Sequence, residues 1–415
     1  MFKSNLKFSG QARIYFAFLA VALLVASNDS FAEPAFNILD LGTLGGVTSF
    51  SNGGEAYGNV LNNLGQTVGF SIIGGTFPET HAFRTEPGGP IKPTSDLGAP
   101  GGASIGWGIN TSGQAVGQAL FPGSVDGKYH AFRTTANGLI TASSDMGTLG
   151  GTFSVAYGIN DAGQVVGQSY PAGKIDPHSF RTAPNAPIAA ANDLGTLGGP
   201  ISAAYGINSS GQVVGESSLD RNDFIRHAYR TTANGIIDAA SDLGTLGGTK
   251  SGALAINDSG QAVGYSNMPG DVNTHAFRTA SNGKITAASD LGTLNDTQIS
   301  YATAINSLGQ VVGFSTFPGS GIGQWHAVFV DSASGSPMLD LNTLIPPGTG
   351  WLLIQAHGIN DLGEIAGFGR NPIDNQIHGF LLTPVPEPSL VGLLGFPAIS
   401  WIGRRGEKAT KRSAA

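Results

Sequence analysis

The chain has no cysteine in 415 residues, which excludes disulfide staples and thiolate metal sites. Charge is scarce too. Only 12% of residues are charged, acidic residues outnumber basic ones, and the formal net charge is −7. An acidic chain without a basic stripe excludes the electrostatic footprint of a nucleic-acid binder. The 3.6-residue periodicity of long amphipathic helices is also missing. Disordered chains combine low hydrophobicity with high net charge, and this chain, at 40% hydrophobic, does not. What it has in quantity is glycine, 63 residues, set at recurring positions as turn chemistry requires. These features describe a folded, turn-rich β protein held together by packing and strand pairing.

The recurring positions belong to a unit of roughly 49 residues, present seven times. An Asp opens it at Asp40, Asp96, Asp145, Asp193, Asp242, Asp290 and Asp340. A His marks its end at His81, His130, His178, His227, His275, His326 and His378. Between them lie a Gly-rich Asp-Leu-Gly-Thr-Leu-Gly-Gly segment, a strand ending in Asn and a Gln-Val-Val-Gly strand. A period of this size indicates a solenoid, a propeller or an array.

Within one copy, residues 202–208 and 212–217 are short runs separated by Ser209-Ser210-Gly211. A three-residue connection with Gly last is hairpin chemistry, because Gly takes a positive φ without cost. Residues 227–231 and 236–243 form a second hairpin around Ala233-Asn234-Gly235. Four short strands per unit is the strand count of a propeller blade. The expected fold is therefore all-β, a seven-bladed β-propeller over residues 33–383 built from seven four-stranded repeats, with a β-solenoid as the alternative. The chain begins with an Asp-Leu-Gly strand and ends with a His strand, which are hairpin partners elsewhere. Their pairing would close the ring and remove two sheet edges.

The His-Ala-Phe element, the Gly-Ile-Asn to Gly-Gln-Val-Val-Gly hairpin and the Asp-Leu-Gly-Thr-Leu-Gly-Gly segment together resemble the HAF-family extracellular repeat across about residues 36–382. The resemblance implies an exported repeat protein and carries no settled activity. Copies one, six and seven depart from the pattern. Copy one has Val60-Leu61-Asn62, copy six has Leu294-Asn295-Asp296, and copies six and seven replace the Arg after the aromatic by Val330 and Leu381.

Both ends differ in composition from the repeats. Residues 1–32 read as a secretory signal, with Lys3, Lys7 and Arg13 before an apolar run and Ser30-Phe31-Ala32 as the cleavage site, cut after Ala32. Residues 384–405 contain Pro386-Glu387-Pro388, a 13-residue apolar run at 390–402 and Arg404-Arg405, followed by a basic tail at 406–415. A helix of that length rises only about 20 Å, short of a bilayer core of roughly 30 Å, so transient membrane insertion is expected. The order of these features resembles the PEP-CTERM sorting signal of Gram-negative exopolysaccharide producers. That resemblance implies an exosortase-type processing enzyme as partner and a location in the cell envelope, at the cell surface or in the extracellular matrix. Pro397 inside the apolar run and the tail beyond the arginines depart from the pattern.

The seven His, Asp and Asn are candidates for metal binding or acid–base chemistry. A catalytic site is a single constellation, however, and residues repeated once per unit serve the unit. They read as a His-to-carboxylate tie between strands, with metal or catalytic roles as the alternatives. Arg84, Arg133, Arg181, Arg230 and Arg278 read either as surface residues pairing with a nearby Asp or as a ring clamping an anionic polymer.

Ligand binding is expected where the copies differ most, in the connections at 72–80, 120–129, 171–177, 218–226, 268–274, 316–325 and 369–377. Phe121, Tyr170, Phe224, Phe317 and Trp325 supply aromatics there. Asp126, Asp176, Asp220, Asp223, Asp271 and Asp374 supply acceptors. The mixture suits carbohydrate, and equally a plain solvated loop. No catalytic residue, resident metal or cofactor is expected, and loop Ca²⁺ is left open as an alternative without a residue pattern to support it. The function expected is adhesion or matrix organisation by binding exopolysaccharide or a surface protein. The alternatives are a glycan-active propeller enzyme and a spacer without ligand.

Overall fold

A computed structural model of the chain describes residues 36–46, 48–50, 60–74, 79–123, 127–318 and 325–386. Seven antiparallel sheets form a closed ring, a seven-bladed β-propeller, and no α-helix occurs among the described residues. The leader with Ala32, the signal residues Glu387, Pro388, Arg404 and Arg405, and loop residue Asp126 lie outside the described residues.

In blade 4 the strands run Ser202–Ile207, Val213–Ser218, Arg226–Arg230 and Asp242–Gly244, each hydrogen-bonded to the next. From blade 2 to blade 7 the first strand of each blade packs against the first strand of the next, so it lies innermost. The fourth strand is shorter than residues 236–243 suggest. A 3-10 turn at Ala239–Ser241, in which Asp238 accepts the Ser241 amide at 2.9 Å, delays it to Asp242. In blades 1, 2 and 5 it shrinks to single bridges, Phe83 to Asp96, Phe132 to Asp145 and Phe277 to Asp290. The intervening apolar residue turns inward in place of pairing, as with Ile237, 6% exposed.

Ring closure follows the two chain ends. The N-terminal strand Phe36–Gly42 is the outer strand of blade 7, antiparallel to Ile377–Pro384, with Phe36 opposite Pro384 and Asp40 opposite Phe380. His378 Nδ1 lies 3.0 Å from Asp40 Oδ1, completing the pair that closes every other blade. The pairing covers the edge of Ile377–Pro384 that would otherwise be open.

Two glycine positions make the blade possible. Gly211 ends the first turn at φ +79°, and a Cβ there would also strike the Asn234 amide. Gly215 sits opposite a bulge between Ala204 and Gly206, where a Cβ would lie 1.9 Å from the Ala203 carbonyl oxygen. In blade 6, Asn295 (φ 53°) and Asp296 (φ 56°) bend the chain where other copies use Gly-Gly.

The core lies between blades. Phe83, Phe132, Phe180, Tyr229, Phe277 and Phe380, the aromatics of the His strands, are fully buried. A serine that opens the inner strand ties neighbouring blades. Ser251 Oγ accepts the Ala228 amide of blade 4 and donates to the Gly244 carbonyl. Ser104, Ser154, Ser202 and Ser300 repeat the amide contact.

Candidate functional site

The repeated polar residues are consumed by the scaffold. In all seven blades the His Nδ1 meets the carboxylate of the repeated Asp in the outer segment, at 2.7–3.1 Å. The same carboxylates accept backbone amides two residues on, such as Gly244 from Asp242 and Gly195 from Asp193 at 2.8 Å. Burial pushes the Asp340 carboxyl up, but hydrogen bonds from His326 and Asn342 outweigh it and hold the group below the ordinary carboxylate range. Asp242 is lowered in the same balance by His227 and the Gly244 amide.

The asparagines form a circuit that the sequence does not announce. Each side chain accepts the amide of the Gln or Glu four residues on. Its Nδ2 donates to that residue's side-chain oxygen and to the Asn carbonyl of the next blade. The inter-blade bonds run from Asn62 to Asn110, Asn160, Asn208, Asn257, Asn306 and Asn360, and from Asn360 back to Asn62, at 2.9–3.2 Å. They surround an axial depression of about 180 Å³.

The repeated arginines take neither expected role. Each reaches backbone carbonyls in the turns of the following blade. Arg181 donates to Gly235, Gly211 and Asn234, Arg230 to Gly260 and Gly283, and Arg278 to Gly309 and Asp331. Arg84 and Arg133 do the same, and half-burial lowers all five below the ordinary guanidinium value. With carbonyls as acceptors, no repeated Asp partner is needed. In blade 6 the register corrects the expected Val330: Phe329 pairs with Val312 as Arg278 pairs with Val263, so Phe329, and Leu381 in blade 7, occupy the arginine places, and a broad apolar cluster around Phe329, Leu341, Leu353 and Phe380 joins the blades.

The five loop aromatics do not converge on one platform. Phe121 is 7% exposed beside a hollow of about 230 Å³ that His130 and Asp145 also line. Tyr170 leans on Phe153 with ring centroids 5.4 Å apart, and Phe317 stacks on His326 at 4.1 Å. Phe224 alone stands out, 69% exposed. Trp325 belongs to the strand Trp325–Val330 and packs edge-on against Phe314 at 5.1 Å. Several of the loop carboxylates are used locally. Asp223 binds Arg226, Asp271 accepts Thr249, and Asp374 meets His378 Nε2 at 3.1 Å. Among the described residues no group of three or more His, Asp or Glu is placed to hold a metal ion.

Variable residues do converge on the propeller axis, which the sequence reading missed. One apolar cluster unites Trp107, Tyr157, Tyr205, Leu254 and Phe314 with Tyr265, Tyr301 and Trp325, drawn from blades 2 to 6. A cluster shared by five blades lies on the axis. Tyr265 and Phe314 of this cluster follow the Val-Gly pair, and the residue at that register position differs among copies: Phe70, Gln118, Gln168, Glu216, Tyr265, Phe314 and, after Ala366-Gly367, Phe368. That variation at one fixed register position was the available signal.

Glu216 is the only acid in this set, and it is 7% exposed. It accepts Tyr205 Oη at 3.2 Å, Tyr265 Oη at 2.6 Å and Arg226 Nη1 at 2.7 Å. On the far side, His357 is 1% exposed and stacks on Phe368, with Nε2 3.0 Å from Gln355 Oε1 and no hydrogen bond to Nδ1. Burial lowers its pKa to about 3, so the ring is neutral. No protein-family model matches the chain, and no curated protein matches it. The fold and the axial cluster define a β-propeller whose repeated chemistry is structural.

Proposed function

We propose that the protein is an exported, non-catalytic propeller that binds exopolysaccharide or a surface protein at the cell envelope, in adhesion or matrix organisation. The observation that carries this reading is the commitment of the repeated His, Asp, Asn and Arg to bonds within the ring. Recognition is then left to the residues that differ between blades. These gather on the face of the long loops and at the axial mouth, an arrangement common for ligands of propellers and other rigid scaffolds.

The chain ends support the same reading. The strand Ile377–Pro384 starts at the long-loop face and finishes at the opposite, tight-turn face, where Phe36 pairs with Pro384. A sorting segment at 385–405, held in or near a membrane, would present the long loops outward. The PEP-CTERM-like order of Pro386, Glu387 and Pro388, the apolar run, and Arg404 and Arg405 makes an exosortase-type enzyme the expected processing partner.

The test is co-sedimentation of the purified full chain with exopolysaccharide from the producing bacterium, with and without Ca²⁺. Saturable retention without release of new reducing ends supports non-catalytic binding. Release of reducing ends would favour the enzyme reading. No retention in either condition would leave a protein partner or a spacer.

A further inference from the structure

Blade 4 departs from the other copies at two positions that bond to each other. Glu216 stands where other blades carry aromatics or Gln, and Arg226 stands where they carry Thr80, Tyr129, Pro177, Thr274, Trp325 and Ile377. Arg226 Nη1 donates to Glu216 at 2.7 Å, while Nε and Nη2 grip Asp223. Three of the five guanidinium N–H donors are thus used. The plane is held by two carboxylates, and the side chain remains 29% exposed at the long-loop end of its strand.

From Glu216 the arc continues without a break. Tyr265 Oη donates to Glu216, the Tyr265 ring lies 5.0 Å from that of Tyr301, and Tyr301 lies 6.4 Å from Trp325. Tyr265, Tyr301 and Trp325 are all partly exposed. Trp325 occupies in blade 6 the place that Arg226 holds in blade 4, so both ends of the arc lie at the same mouth. A fixed fork of N–H donors beside partly exposed aromatic faces matches the two surfaces of a sugar ring, hydroxyl rim and apolar C–H face.

We infer that this arc, from Arg226 to Trp325 across blades 4 to 6, is a seat for a neutral oligosaccharide. The inference rests on the glycan-binding reading above and names its subsite and ligand class. Charge decides the class. Glu216, Asp220 and Asp223 outnumber Arg221 and Arg226 around the mouth, within a chain of net charge −7. A uronate or phosphate substituent would face uncompensated carboxylates. The arc spans three blades, so it accommodates several sugar units and not one.

The experiment titrates the full chain with neutral hexasaccharides (cellohexaose, laminarihexaose, maltohexaose and chitohexaose) and with hexagalacturonate, by calorimetry and tryptophan fluorescence. At least one neutral hexamer should bind about tenfold more tightly than the uronate. Trp325→Ala and Arg226→Ala should each weaken it about tenfold, whereas Trp325→Phe, which keeps an aromatic face, should stay within about threefold. Thermal midpoints of the variants separate loss of the seat from loss of the fold. Preference for the uronate, binding of no neutral hexamer, or well-folded alanine variants with unchanged affinity would each overturn the inference. If the chain still sediments with the bacterial polysaccharide and the variants do so equally, the seat is wrong and the binding reading stands. If the wild-type chain does not sediment at all, the polysaccharide part of the broader reading fails.

Discussion

The phenolic hydroxyl of Tyr229 in blade 4 lies 2.8 Å from the hydroxyl of Ser179 in blade 3, and both side chains are fully buried. The other blades have Phe at the first position, or Val328 in blade 6, and Ala or Gly at the second. The two exceptions occur where they can satisfy each other, and burial raises the phenol's pKa well above its ordinary value.

Removing one partner leaves a buried polar group without its mate, at a cost of about 1–3 kcal/mol, whereas removing both restores an apolar contact. Ser179→Ala and Tyr229→Phe are each expected to lower stability by that amount. The double variant should lie within about 1 kcal/mol of wild type. A double-mutant cycle by denaturant unfolding checks this, and additive losses would refute the coupling.

The arginine joints offer a second test. Arg230→Ala removes bonds to two turns of blade 5 and should destabilise the ring by about 1–3 kcal/mol. Polysaccharide retention should stay unchanged, because the side chain faces the next blade. Loss of retention without loss of stability would restore the anionic-polymer clamp.

Acid should loosen the ring through Asp340, the least exposed carboxylate of the His–Asp pairs. Its folded pKa is depressed, so its contribution is present above the unfolded value of about 3.9 and is lost as pH falls through the folded value. Unfolding midpoints should drop more steeply below about pH 4 in wild type than in Asp340→Asn. Parallel curves would contradict this.

His357 acts in a higher window. Its folded pKa of about 3 lies below the unfolded value of about 6.5, so the unfolded chain takes up the proton first. The residue should cost up to about 1.4 kcal/mol of stability per pH unit as pH falls from about 6.5. His357→Phe, stacked in the same place on Phe368, should flatten that slope. An unchanged slope between about pH 6 and pH 4 would show that His357 is not the group responsible.

Much of the blade is legible in the residues because turns and strand alternation are local. Ser209-Ser210-Gly211 marks a hairpin wherever it occurs, and the Asp and His strands at the two ends name each other as partners. The short outer strand was less visible, since the 3-10 turn at Ala239–Ser241 competes with pairing through a cap that depends on Asp238 and Ser241. The acceptors of Arg181 and Arg230 were invisible, because backbone carbonyls of the next blade carry no sequence signature. Phe121, Phe317 and Trp325 looked like loop residues of one kind, yet one is buried, one covers a His ring and one joins the axial cluster.

The sequence by itself determined the unit, its sevenfold repetition, the hairpins within it and the pairing of its ends, because these follow from spacing and turn chemistry along the chain. Only the tertiary structure decided which face of each strand meets the axis. That choice depends on bulges that shift register by one residue and turn a side chain from one side of the sheet to the other. It brought Glu216, Tyr265, Tyr301 and Trp325 together from three blades, and it closed the asparagine circuit through a bond from Asn360 to Asn62.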